Sequence, residues 1–171
     1  QDRVKAEVIT FAYSDQKAFP PAPENMNYDM EAMIVFNQNI YLFSKNSTDP
    51  YSGYVKLYKL PVTPGEYVAE LVDSLFLGNT NMFDNSITGA DISPDKKNIV
   101  LLTYSKIWLL NNFEEDNFFK GAIIPIQLPT LSQKEGITFK NNTEVFISDE
   151  RFKNILGGNL YLLNLSPYIL D

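Results

Sequence analysis

At 171 residues, with 44% hydrophobic and 13% aromatic content, the chain is long enough to bury one sizeable core, and a single domain is the default reading. A net charge of −7 argues against a surface that tracks phosphates, because nucleic-acid binding needs clustered Lys and Arg. The chain has no Cys and no His, which excludes within it a disulfide framework, a zinc–thiolate site, a Cys nucleophile, a Ser-His-Asp triad and any His-ligated metal. Carboxylates, Lys, Tyr and Ser are left for any chemistry. No apolar run approaches the roughly 20 residues needed to cross a bilayer, and no basic-then-apolar segment opens the chain. It begins at Gln1 rather than Met, so a leader or an upstream region is expected to have been removed.

In chain order, the first expected element is a strand near residues 3–14, with its alternating core from Val4 to Tyr13. The run Pro20-Pro-Ala-Pro23 then breaks regular structure. Next come three similar units. In the first, strands are expected over 31–36 and 40–45 around the polar turn Asn37-Gln-Asn39, then over 54–60 and 67–73. In the second they fall at 90–93 and 99–104 around Pro94-Asp-Lys-Lys-Asn98, then at 106–110 and 122–128. In the third they fall at 136–139 and 144–149 around Lys140-Asn-Asn-Thr143, then at 159–165. Residues 112–120 read equally well as a helical turn or a loop, because Asn and Asp compete with helical hydrogen bonds.

A repeat of about 50 residues with four strands each is the pattern of propeller blades rather than of helical solenoids. The expected fold is therefore all-β, built of four-stranded antiparallel blades near 29–77, 87–129 and 134–165. The strand at 3–14 is expected to belong to a neighbouring blade. One strand is spare at the start and one is missing from the last unit, giving about three blades, half of a six-bladed propeller or a fragment of one. Closure is then expected either from an upstream half or from a homodimer in which the 3–14 strand of each chain completes the last blade of the other.

In such a blade the start of the first strand and the end of the second lie on one face. Asp29, Glu31, Thr88, Lys134 and Glu135 occupy the first place; Lys45, Tyr104, Lys106, Asp149, Glu150 and Arg151 occupy the second. All are expected to line one mouth of a central channel. Converging carboxylates there suit a hard cation such as Ca²⁺, which takes oxygen ligands and needs no His. The alternative is solvated loop-end charge, with Glu150 and Arg151 as a simple ion pair. Trp108 reads as packing between blades, Gly157-Gly158 as a turn, and the sequon-like tripeptides at Asn46, Asn141–Thr143 and Asn164 are given no role.

Glu135-Gly-Ile-Thr-Phe followed by Phe146-Ile-Ser-Asp-Glu150-Arg151 resembles the opening and closing strands of phytase-like, esterase-like and SdiA-regulated propellers. Residues 29–45, Thr88-Gly-Ala-Asp91 and Trp108-Leu-Leu110 are similar to secreted propeller-like proteins of Bacteroidetes-type bacteria. The resemblance implies that Glu31 and Glu135 face the channel, while the middle unit carries Gly89 instead of Glu. It implies a secreted or cell-envelope module, extracellular or periplasmic, binding a small ligand, a cation or a partner protein at the channel mouth. Asp29, Lys45, Tyr104, Glu150 and Arg151 would then contact the ligand, and Glu31 and Glu135 a metal. The alternatives are a metal-dependent phosphoester or carboxylic ester hydrolase with Glu150 as acid or base, and a structural scaffold.

Overall fold

The computed structural model describes residues 4–151 and 157–169, and it is all-β with curled sheets, one of them a half-barrel. The first sheet holds β1 (Ile9–Tyr13), β2 (Asp29–Phe36), β3 (Asn39–Lys45), β4 (Tyr54–Pro61) and β5 (Gly65–Phe76), in the order β1-β5-β4-β3-β2. The second is a meander of β6 (Gly89–Ile92), β7 (Asn98–Leu102), β8 (Lys106–Asn111) and β9 (Ala122–Gln127). The third has β10 (Lys134–Phe139), β11 (Glu144–Asp149) and β12 (Leu160–Asn164). A four-residue helix, α1 (Met82–Asn85), leads into the second sheet.

Local chemistry explains the hairpins. Asn37 and Gln38 have φ of 46° and 63°, the left-handed pair that a two-residue turn requires, and Asn tolerates that region better than most residues. Lys96 supplies the same handedness, at φ 62°, between β6 and β7.

The sheets stack with the second in the middle. On β2 the alternation is clean: Ala32, Ile34 and Phe36 point inward, while Glu31, Met33 and Val35 are exposed. Those inward residues join Tyr41, Phe43, Ile99, Leu101, Leu110 and Phe118 between the first and second sheets. Val100, Leu102, Ile107 and Leu109 turn the other way and pack on Val145, Ile147 and Leu165. Strand β7 is therefore buried at every position, which is why its sequence is a continuous apolar run after Asn98 instead of an alternating one. A third cluster, Leu42, Tyr58, Leu60 and Ala69 with Ile9, Tyr13 and Tyr28, covers part of the outer face of the first sheet. At the centre β6 packs between β2 and β10, so the first strands of the three sheets are neighbours.

Ile34, Leu42 and Leu101 are buried, and Ile40, Ile137 and Phe146 are half-buried. Trp108 packs against the cluster between the first two sheets. Residues 112–120 form a loop ending in a single 3-10 turn, Phe118–Lys120, that buries Phe118 and Phe119.

Two expectations change. The sheets have five, four and three strands, so a uniform four-stranded blade is not what is seen. The early strand runs only from Ile9 to Tyr13 and does not belong to a neighbouring blade: it pairs in parallel with β5, Ile9 facing Gly65 and Tyr13 facing Ala69. Residue 3 of the expected range lies outside the described residues. The physical reason is a polar anchor beyond the strand, since Asp15 accepts hydrogen bonds from Lys56 Nζ at 2.5 Å and Tyr58 Oη at 2.9 Å. That satisfies the hydroxyl of a fully buried Tyr and fixes β1 to its own sheet.

Candidate functional site

The ends of β2 and β10 share one irregularity. On the first sheet Met30 faces Ser44 and Ala32 faces Phe43, leaving Glu31 as the extra residue of a bulge. On the third, Lys134 faces Asp149 and Gly136 faces Ser148, leaving Glu135 in the same role. A bulge twists the strand and re-aims the extra side chain, so both glutamates leave the pleat at the same place in their sheets. The residue after the bulge partner is Lys45 in one sheet and Glu150 in the other. Equivalent positions thus hold an acid–base pair in the first sheet and two acids in the third.

The consequences differ accordingly. Lys45 Nζ lies 2.7 Å from Glu31 Oε1 and donates to Tyr104 Oη at 3.2 Å. Burial alone would depress the Lys45 ammonium, but its bonds to Glu31 and Tyr104 outweigh that and hold its pKa above the ordinary value. Among the described residues Glu135 has no such ion pair. Burial, then the charge of Glu150 and a hydrogen bond shared with it, and then the charge of Glu31 raise its pKa, against a smaller opposing pull from Lys45. Residues from all three sheets therefore meet in one electrostatic cluster of Glu31, Lys45, Tyr104, Glu135 and Glu150.

The middle unit contributes no acid, since Gly89 stands at the corresponding place. A Cβ there would sit 3.2 Å from the Glu135 carbonyl oxygen, so a larger residue would have to push β6 and β10 apart by a few tenths of an ångström. Thr88, next to it, is buried and donates to the Lys134 carbonyl at 2.6 Å, tying the second sheet to the third.

Beside the cluster is a cavity of about 530 Å³ lined by Phe83, Leu131, Gln133, Asp149, Glu150 and Tyr161. A smaller hollow of about 210 Å³ shares Phe83, Leu131 and Gln133 and reaches Tyr104. Phe83 is set by its own short helix: Asn81 Oδ1 caps its backbone N–H at 3.0 Å, and Asp84 accepts the hydroxyl of Ser105. Its ring lies 5.9 Å from that of Tyr104. Sequence reasoning missed Phe83 and Leu131, because an exposed aromatic and an exposed Leu in connecting segments carry no periodic signal.

Lys134 and Asp149, expected at the mouth, are committed to contacts within the fold, although Asp149 also lines the cavity. Lys134 is buried, and its ammonium donates to Thr130 O at 2.5 Å, Ser132 Oγ at 2.8 Å and Tyr104 O at 3.4 Å, clamping the loop before β10. Burial pushes its pKa down, with Asp149 opposing. Burial would raise the Asp149 carboxyl, but hydrogen bonds from Asn159, Ser132 and Tyr161 lower it to about 2. Lys106 lies over the Trp108 ring, 5.4 Å from its centroid.

Two other expected residues stand apart. Asp29 lines a different depression, with Gln16, Pro21, Met26, Tyr28 and Ser47. Arg151 is exposed and runs alongside Gly158, outside the lining of the cavity. Among the described residues no set of three acidic side chains is placed to hold a metal ion, and no helix is long and apolar enough to cross a membrane. Of the sequon-like sites, Asn46 is fully buried with its amide bonded to Ser52, Tyr54 and Thr48, which leaves no room for a glycan. No family model and no curated protein matches the chain.

Proposed function

We propose that the chain is a propeller-type binding module, acting outside the cytoplasm, whose cluster of Glu31, Lys45, Tyr104, Glu135 and Glu150 receives a small positively charged organic ligand. The observation that carries this reading is the Glu135–Glu150 pair, two acids facing each other where the first sheet has Glu31 and Lys45. A ligand amine placed between them would take the role Lys45 plays in the equivalent position. The aromatic wall of Phe83 and Tyr104 would face the rest of such a ligand, as aromatic faces favour cations. The propeller reading is supported by adjacent first strands, a middle sheet buried on both faces, and bulges repeated in the first and third units. Exposed Met33 and Val35 on the first sheet, and Leu160 and Leu162 on the third, suit closure by further blades or a second copy.

Calorimetric titration of the protein with putrescine and, separately, with CaCl₂ tests the site. Putrescine is expected to bind saturably, with affinity falling at least about tenfold in Glu150→Gln. Saturable Ca²⁺ binding with no response to putrescine would replace the amine by a hard cation, and binding of neither would refute the site. A second reading, carboxylate-based hydrolysis of a phosphoester or carboxylic ester, is favoured by the raised pKa of Glu135 beside Glu150, the environment of a general acid. Turnover of such esters that is lost in Glu135→Gln would select it.

A further inference from the structure

At the opposite end of the stack, between the second and third sheets, lies a cavity of about 520 Å³ whose lining includes Lys97, Asn98, Asn111, Asn112, Phe113 and Asn142. Its inner wall is unusual for this core. Asn98 and Asn111 are cross-strand partners on β7 and β8, on the face that continues from Val100 and Leu109, and each is only 4% exposed. Apolar side chains would prolong the core at this place. Two amides stand there instead, and Oδ1 of Asn111 has no hydrogen-bond partner among the described residues. Buried polar atoms are nearly always paired, so an amide left with an unpaired oxygen in the wall of a cavity is out of place in an apolar core.

One contact joins the turns of the two sheets at this cavity. The Asp95 backbone N–H donates to Asn142 Oδ1 at 3.1 Å, tying the turn of the second sheet to that of the third. The Asp95 carboxylate is committed to its own turn, accepting from Ser93 Oγ at 2.6 Å and the Lys97 N–H at 3.1 Å. Lys96 extends to within 5.8 Å of the Phe36 ring centroid, and Lys97 is exposed at the edge. Nearby Glu144 is paired with Lys140 at 3.1 Å.

We propose that this cavity is a second binding site and that its ligand is a carboxylated sugar. Each Asn amide offers both a donor and an acceptor, the combination that sugar hydroxyls use. Phe113 and Ile169 supply apolar surface for a ring face, and the exposed Lys97 supplies positive charge for the carboxylate on a chain whose net charge is −7. The volume is many times the roughly 30 Å³ that one water molecule occupies, so a single bridging water does not fill it.

The test is an NMR titration of the isotope-labelled protein with glucuronate, glucose and inorganic phosphate. Glucuronate is expected to shift the signals of Asn98, Asn111, Asn112 and Asn142 saturably while leaving Tyr104 and Glu150 unmoved, which separates this site from the acidic cluster. Glucose and phosphate are each expected to bind at least about tenfold more weakly, and Lys97→Gln to weaken glucuronate by a similar factor. Asn111→Leu should abolish binding; because it alters a buried position, the exposed Asn112→Gly, which suits the left-handed backbone there (φ 55°), provides a second variant, expected to weaken glucuronate. Phosphate binding as tight as glucuronate would overturn the sugar assignment, and no saturable shift with glucuronate would overturn the site.

Discussion

The pairing of Glu135 with Glu150 sets the charge of the site through a proton. Because the carboxyl of Glu135 titrates above its ordinary value of 4.5 in the folded chain, its contribution to stability is complete below that value and is lost as pH rises through the raised one. Glu135→Gln removes the ionisation, so the variant should gain on the parent as pH rises from 4 to 8, by up to about 1 kcal/mol for a half-exposed charge pair. Urea midpoints of both proteins across that range check it; equal slopes with pH would count against the pair. Asp149 behaves with the opposite sign. Its pKa is depressed from 3.8 to about 2, so its contribution is present above 3.8 and disappears as pH falls through about 2. Asp149→Asn should cost about 1–3 kcal/mol at pH 7, as it weakens the acceptor of the Tyr161 hydroxyl and the Asn159 N–H, and the cost should shrink toward pH 2.

Among the elements, β1 and β7 mark the extremes of attachment. Strand β1 lies at the edge of its sheet and is held beyond its end by Asp15, whereas β7 is buried on both faces. Asp15→Ala strands the hydroxyl of buried Tyr58, which should cost about 1–3 kcal/mol. Under native conditions it should also speed amide exchange along Ile9–Tyr13 while β7 remains the slowest to exchange. Hydrogen-exchange mass spectrometry reads both; loss of protection in β7 together with β1 would mean that the edge strand is integral to the core. These two strands also show what was legible in the sequence. The hairpins were, because Asn37-Gln38 and Pro94-Asp-Lys-Lys-Asn98 are local turn chemistry. The partner of β1 was not, because it depends on Asp15 meeting Lys56 and Tyr58 from a distant strand. Antiparallel strand order puts Glu31, Glu135, Lys45, Tyr104 and Glu150 at one end, and the structure brings their charges together there. Strand order could not show the bulges that aim the glutamates, nor the short helix that brings Phe83 beside Tyr104. Asp29 was misplaced because the same bulge changes the phase between Asp29 and Ala32, and Asp29 faces a different depression.

Across the whole molecule, the acidic cluster exists only because the first strands of three sheets converge. Glu31 belongs to the first sheet and Glu135 to the third, with β6 between their strands, yet the charge of Glu31 raises the pKa of Glu135. This coupling across the stack underlies both the propeller reading and the binding site, and it can be measured without any ligand. A carbon-13 NMR titration should follow the Glu135 side-chain carboxyl in the parent protein and in Glu31→Gln. Glu135 is expected to titrate above the ordinary glutamate range, with a pKa that falls when Glu31 is neutralised; an ordinary value unmoved by Glu31→Gln would contradict the coupling.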